Sequence, residues 1–289
     1  MTLDAMLRRI GHRGRVTPDR ETLFALHRSW RRTVPYENLD IQLGRPVGLD
    51  PDTLYDKLIR RRRGGYCYEQ NAGLAMLLRL AGFEVSMVEG GVMRQARGDA
   101  MWGNHNALVI DLDGRQWVAD AGIGDGFVEP LRLREGPQEQ GEFTYRLERL
   151  ASDTWRFHHN PGATIASYDF RLRPCVPADF AARSHELSTS PESPYVTTLI
   201  AARPDAGHTL LLLSRTLRQY GADGRSSWTI GDVDEFATTL SEQFLVPLQD
   251  LGPDGVGRLW EKARAQDDAR QTRAQDDARQ TRAQEADRR

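Results

Sequence analysis

Cys67, His105 and Asp120 are the residues whose types and placement could do chemistry together. A thiol supplies the nucleophile, an imidazole takes its proton, and a carboxylate fixes the imidazole tautomer and stabilises its charged form. Base assistance of this kind is worth about 10²–10⁴ in rate. Cys67 stands in Arg63-Gly64-Gly65-Tyr66-Cys67-Tyr68-Glu69-Gln70-Asn71, ahead of the apolar run Leu74, Ala75, Leu77, Leu78 and Leu80. The two glycines allow a tight backbone approach, and the run reads as a helix ending at Gly82, so the thiol sits at a helix start. Unpaired N–H groups and the positive dipole end there push a thiol toward thiolate. The plainer alternative for Cys67 is a small buried core residue.

The histidine and the aspartate need an element that brings them together. Asn104-His105-Asn106-Ala107-Leu108-Val109-Ile110-Asp111-Leu112 and Arg115-Gln116-Trp117-Val118-Ala119-Asp120 are strand-like, and Asp113-Gly114 between them is a two-residue hairpin signal. If Leu112 faces Arg115, counting outward sets Ala107 opposite Asp120. Alternation then puts His105 and Asp120 on one face as diagonal neighbours, roughly 7–8 Å apart by backbone and within side-chain reach.

The first eighty residues read as helices. Leu3, Met6, Leu7 and Ile10 fall at helical spacing, and Thr17-Pro18 and Asp50-Pro51 are cap-plus-proline starts. Between the helices lies Val34-Pro35-Tyr36-Glu37-Asn38-Leu39-Asp40, whose Glu37 could pair with an arginine such as Arg63, fixing the approach to Cys67 more than adding stability. From Phe83 onward the pattern is that of antiparallel strands, with further strands expected at residues 143–150, 154–157, 165–172 and 210–217 and a turn at Ala222-Asp223-Gly224. Ala121-Gly122-Ile123-Gly124-Asp125-Gly126 follows a strand but is neither G-x-G-x-x-G nor followed by a helix pattern, so it reads as a tight loop rather than a dinucleotide site. Asp232 or Asp234 caps a helix through Phe236, Leu240 and Phe244, and Val256, Leu259 and Trp260 suggest one last short helix.

At 289 residues and 39% hydrophobic content the chain can bury a large core in two or three subdomains. No run approaches the roughly 18 apolar residues of a membrane span, and the first residues lack a signal peptide's pattern, so the cytoplasm is the expected compartment. Cys67 and Cys175 are the two cysteines, without metal spacing, and read as free thiols. A formal net charge of −2 gives no electrostatic case for nucleic acid. Arg31-Arg32 and Arg60 to Arg63 could meet a phosphorylated small molecule, though solvated helix faces are the ordinary account of such clusters. His158-His159 alternates across a strand with no further ligands nearby, so no metal is expected. Arg264 to Thr272 reads Arg-Ala-Gln-Asp-Asp-Ala-Arg-Gln-Thr, and Arg273 to Thr281 repeats it letter for letter. With nothing larger than alanine to enter a core, the segment 264–289 is expected to be a frayed polar helix or disordered.

The R-G-G-x-C-x-E-x-N block, with Val34-Pro35-Tyr36-Glu37-Asn38-Leu39, Asn104-His105 and Asp120-Ala121-Gly122-Ile123-Gly124, resembles the arylamine N-acetyltransferase family. The likeness is clear over about the first 130 residues and fainter to about residue 260. It implies an α+β fold with a papain-like core: a helical bundle over 1–82, a central antiparallel β-barrel over 83–185 and an α/β lid over 186–263. It also implies a Cys-His-Asp triad at Cys67, His105 and Asp120, and a structural ion pair of Glu37 and Arg63. The implied activity is ping-pong transfer of acetyl from acetyl-coenzyme A, a substrate rather than a bound metal or prosthetic group, to an arylamine, hydrazine or N-hydroxyarylamine. Tyr36, Gly103, Asn104 and Ile123 are the substrate-side candidates, with backbone N–H groups near Cys67 and Gly103 for the oxyanion. Two places depart from the family pattern: Asn104 stands where threonine is usual, and Ile123 where a phenylalanine is, which removes an aromatic wall for a flat arylamine. Amide synthases that cyclise polyketide chains keep the same triad and are the alternative. A cysteine hydrolase or transglutaminase-like enzyme, and a silent binding module on the same fold, complete the expectations.

Overall fold

The computed structural model describes residues 1–161, 163–205, 208–221 and 224–287, without the side chains of residues 205 and 273–287. Helices α1 (Leu3–Arg9), α2 (Arg20–Thr33), α3 (Leu39–Gln42), α4 (Pro51–Tyr55) and α5 (Cys67–Leu80) build the first part, with the two-residue strand β1 (Tyr36–Glu37) among them. Asp50 caps α4 by accepting from the Thr53 N–H at 2.9 Å, with Pro51 in the first turn. The cap of α2 falls two residues beyond the expected Thr17: Asp19 accepts from the Thr22 N–H at 2.8 Å, and the Thr17 hydroxyl donates to Asp19. An aspartate is the better cap, because its charge also meets the helix dipole. Leu74, Leu77 and Leu78 of α5 pack with Met6, Trp30 and Leu58 in one buried cluster. Each fully buried leucine contributes ~1.5–3 kcal/mol. The helix stops before Gly82, which takes φ +90°.

The second part is an eight-stranded antiparallel sheet in the order β5-β4-β3-β2-β9-β8-β7-β6. Its strands are β2 (Glu84–Val92), β3 (His105–Leu112), β4 (Arg115–Ala119), β5 (Leu131–Arg132), β6 (Gly136–Gln140), β7 (Phe143–Arg149), β8 (Thr154–His158) and β9 (Ser167–Cys175). The Gln138 amide nearly closes the barrel: its Oε1 accepts from the Arg132 N–H and its Nε2 donates to the Arg132 carbonyl, both at 2.9 Å. Tyr145, Phe157, Tyr168 and Phe170 fill the barrel interior. Short helix α6 (Arg94–Arg97) lies in the β2–β3 connection.

After α7 (Ala181–Thr189) and α8 (Pro194–Thr197) comes a second antiparallel sheet, β1-β10-β11-β12-β13, in which β10 (Ile200–Asp205) pairs with β1 from the helical part. The expected strand over residues 210–217 is instead a hairpin of β11 (His208–Leu213) and β12 (Thr216–Gly221), turned at Ser214 with φ +55°. Strand β13 (Gly224–Thr229) follows; residues 222 and 223 of the expected turn lie outside the described residues. Asp232 caps α9 (Val233–Thr238). The short helix expected around Val256, Leu259 and Trp260 runs on without a break into the polar segment, for which a helix was one of the two expected states: α10 spans Gly255–Asp287. Its first repeat copy is held by polar contacts rather than apolar ones. Asp267 pairs with Arg215 at 2.9 Å and Arg270 at 2.7 Å, and Gln266 accepts from the Leu199 N–H at 2.8 Å. Among the described residues no helix is long and apolar enough to cross a membrane.

Candidate active site

Cys67 opens α5, and the chain reaches it through a backbone passage only glycine permits. A Cβ on Gly64 would lie 2.0 Å from the Pro35 carbonyl oxygen. The passage is fixed by a buried ionic cluster. Arg63 pairs with Glu37 at 2.8 Å, Asp250 at 2.9 Å and Asp40 at 3.2 Å, and Lys57 bridges Asp40 and Glu69 at 2.8 Å each. Glu37 and Arg63 are both 0% exposed. Burial raises the Asp40 carboxyl, but Lys57 and Arg63 outweigh it and hold it well below the usual carboxylate range.

The Asp113-Gly114 turn has both residues at positive φ (51° and 69°), the primed form that matches strand twist. The register runs Leu112↔Arg115 through Leu108↔Ala119, as counted from the turn. His105 and Asp120 accordingly meet at the open end, with His105 Nε2 to Asp120 Oδ2 at 2.8 Å. The other carboxylate oxygen accepts from Asn71 Nδ2 at 2.8 Å and from the Gly122 N–H at 2.7 Å. Asn71 lies four residues after Cys67 on α5, so the helix that carries the thiol also grips the carboxylate. Burial raises the Asp120 carboxyl, yet His105 and the Asn71 amide outweigh it and leave it below its ordinary value. His27 supports the same residue from behind: Nε2 accepts from the Asp120 N–H at 3.2 Å while Nδ1 faces the Val128 carbonyl at 2.7 Å. Burial lowers His27 to about 4, so it stays neutral in this role.

The expectation that the helix start would make Cys67 a thiolate is reversed by burial. The residue is 1% exposed, and loss of water pushes the thiol up to about 12, against the Tyr195 hydroxyl and the Tyr68 N–H, which favour the anion. A thiol so placed needs a base to remove its proton.

The substrate-side candidates fare unevenly. Tyr36 is buried in β1, and its hydroxyl meets that of Tyr195 at 3.4 Å. Gly103 takes φ +78°, but its N–H donates to the Gly90 carbonyl at 3.0 Å and its carbonyl accepts from the Tyr68 hydroxyl, so the expected oxyanion donor there is already committed. Asn104 is likewise occupied: Oδ1 accepts from the Val92 N–H at 2.7 Å and Nδ2 donates to the Val92 carbonyl at 3.3 Å. Ile123 is 7% exposed and packs into the barrel core rather than forming an open wall.

Sequence reasoning missed three contributors. Arg31, whose solvated-face reading is overturned, is buried and donates to the carbonyls of Ala121, Ile123, Gly124 and Gly126, holding the loop after Asp120. Its signal was the glycine-rich loop itself, whose carbonyls need donors from outside the loop. His27 carried no signal. Tyr195, 128 residues from Cys67, places its hydroxyl 3.9 Å from Sγ. Of the two adjacent histidines, His158 meets Glu148 at 2.6 Å and His159 lies 3.6 Å from Asp125. No group of three or more metal-ligating side chains is found among the described residues.

Gly122 seats that loop on the helix that begins at Cys67. A Cβ there would fall 2.7 Å from Asn71 Nδ2 and 3.0 Å from the Cys67 Cα. Gly122→Ala is therefore expected to push the Asp120 loop off α5 and lower turnover by about 10²-fold, because ångström-scale misplacement costs that much. Steady-state kinetics alongside thermal unfolding checks it.

The sequence and fold match known proteins along most of the chain. The N-acetyltransferase family profile matches residues 19–251. An arylamine N-acetyltransferase of Mycolicibacterium smegmatis is 38% identical over 209 residues, spanning 70% of this chain and 76% of that protein. The arylamine N-acetyltransferase of Mycobacterium marinum, solved in complex with CoA, superposes with a TM-score of 0.82 at 30% identity, covering 90% of this chain and 98% of that one. The Nocardia farcinica enzyme superposes at 0.79 with 34% identity, covering 90% and 95%. With the same α+β frame along nine-tenths of its length, the chain belongs to the arylamine N-acetyltransferase family, a family of acyltransferases.

Proposed function

We propose that the protein transfers acetyl from acetyl-coenzyme A to an arylamine, hydrazine or N-hydroxyarylamine by a ping-pong route through an acetyl-Cys67 intermediate. The observation that carries this reading is the 2.8 Å contact of His105 with Asp120, tied through Asn71 to the helix that begins at Cys67. With Nε2 on the carboxylate, Nδ1 is the ring nitrogen left for the thiol proton. As His105 takes that proton, sulfur attacks the thioester carbonyl and a C–S bond forms. The tetrahedral oxyanion is met by N–H groups of the first turn of α5, which lack intrahelical partners. The bond to the coenzyme sulfur then breaks, and the imidazolium returns its proton to that leaving thiolate. In the second half the amine nitrogen attacks the acyl-cysteine, His105 accepts the nitrogen's proton, and Cys67 leaves. Burial gives the base its purpose: a lone thiolate is costly at this site, whereas a thiolate–imidazolium pair carries no net charge.

Intact-mass measurement after incubation with acetyl-coenzyme A alone tests it. One acetyl group is expected, mapped to the Cys67 peptide and absent from the other free thiol, Cys175. No adduct, or one on Cys175, overturns the reading. A panel of long acyl thioesters run in parallel decides against the amide-synthase alternative if acetyl transfer is the fastest.

A further inference from the structure

Cys67 meets a second polar contact that the triad does not use. Tyr195 is the second residue of α8, brought over the nucleophile by the cap of that short helix, where Ser193 Oγ accepts from the Tyr195 N–H at 3.2 Å. Its ring stands edge-on to Tyr66 with centroids 5.2 Å apart, which fixes its plane. The hydroxyl lies 3.9 Å from Cys67 Sγ, within range for a hydrogen bond to sulfur, and on its other side Tyr36 donates to it at 3.4 Å. Since Tyr36 supplies a proton to the Tyr195 oxygen, the Tyr195 proton is left to point at sulfur.

We propose that Tyr195 is a catalytic hydrogen-bond donor to the Cys67 sulfur, polarised by Tyr36, and that this two-hydroxyl relay stabilises the thiolate as His105 removes its proton. The relay rests on the acyl-cysteine reading for its purpose, but its effect is on the thiol itself. Tyr195 touches the reacting atom; Tyr36, which acts through it, is a positioning residue. Chained donors strengthen one another in a low-dielectric interior. Burial keeps both phenols far above their ordinary range, so both remain donors at neutral pH. The other titratable groups facing the sulfur are Asp120 from the loop after β4, Glu69 on α5, and Tyr66 and Tyr68 beside it. Asp120 is bound to His105 and Glu69 to Lys57, so neither offers the sulfur a proton.

The test is the pH profile of iodoacetamide alkylation at Cys67, whose midpoint belongs to the coupled Cys67–His105 pair and so lies below that of the lone buried thiol, read by peptide mass in the full chain, for wild type, Tyr195→Phe, Tyr36→Phe and the double variant. Phenylalanine keeps each ring and its packing, so the variants differ by hydroxyls. Removing a hydrogen bond to a charged group is expected to raise the midpoint by about one pH unit in Tyr195→Phe, slowing alkylation on the rising limb about tenfold. Tyr36→Phe is expected to raise it by roughly a third as much, an effect that disappears in the Tyr195→Phe background. A change in access alone alters the plateau rate and leaves the midpoint in place. An unmoved midpoint in Tyr195→Phe overturns the proposal, and equal Tyr36→Phe shifts in both backgrounds overturn the relay. Because alkylation needs no coenzyme, a chain that refuses acetyl-coenzyme A yet shows the expected midpoints refutes the transfer reaction and not the relay.

Discussion

Asp120→Asn is expected to slow acetylation of Cys67 by about 10⁴-fold, the loss that a wrong imidazole tautomer causes in a triad. The argument is geometric. One carboxylate oxygen of Asp120 accepts from both Asn71 Nδ2 and the Gly122 N–H, so an asparagine can place only its carbonyl oxygen there. Its amide nitrogen must then take the position 2.8 Å from His105 Nε2. An amide N–H facing Nε2 forces that nitrogen to accept, which puts the ring proton on Nδ1, the nitrogen needed for the thiol. Single-turnover mass measurements with acetyl-coenzyme A give the rate, and thermal unfolding separates chemistry from misfolding. A loss under tenfold in a folded variant would mean that the carboxylate does not set the tautomer.

That pairing was legible because a single local feature determined it. Asp113-Gly114 fixes the turn, the turn fixes the register, and the register carries His105 to Asp120 without any long-range information. The helix starting at Cys67 was legible for a similar reason, from periodicity and glycine. The charge state of Cys67 was not, since the helix dipole is written in the local sequence whereas burial is a property of everything packed around it. Arg31 shows the same limit. On α2 it looks like any charged residue of an amphipathic helix, and only the barrel loop folded over it supplies the four carbonyls that justify its burial. Tyr195 reaches the sulfur from α8, a four-residue turn with no periodic signature, and the first repeat copy of α10 docks through Gln266 and Asp267 where an apolar pattern was the thing sought. Polar docking leaves little trace in a hydropathy pattern, because the same residues serve equally well in water.

Arg63→Met is expected to destabilise the fold by about 3–5 kcal/mol, the usual cost of leaving a buried charge unpaired. Methionine keeps much of the volume, so the loss reports charge rather than a cavity. The three acids it abandons differ in what they retain. Asp250 keeps Arg61 at 2.7 Å and Asp40 keeps Lys57, whereas fully buried Glu37 is left with the backbone N–H groups of Leu39 and Gly64. The penalty therefore concentrates on Glu37, and adding Glu37→Gln to Arg63→Met is expected to recover about half of it. In thermal unfolding the single variant should fall on the order of 10 °C. Acid sensitivity follows from the same cluster. Asp40 has its folded value depressed, so its contribution is present above the unfolded carboxylate value, near 4, and is lost as pH falls through the folded one. Removing Arg63 takes away part of what depresses it, so the variant should lose less stability than wild type on going from pH 7 to pH 3. A full-sized acid loss in Arg63→Met, or no rescue by Glu37→Gln, would show that the cluster does not hold the Gly64-Gly65 passage by charge. Since that passage delivers Cys67 to the start of α5, turnover should fall with stability and return with the second substitution.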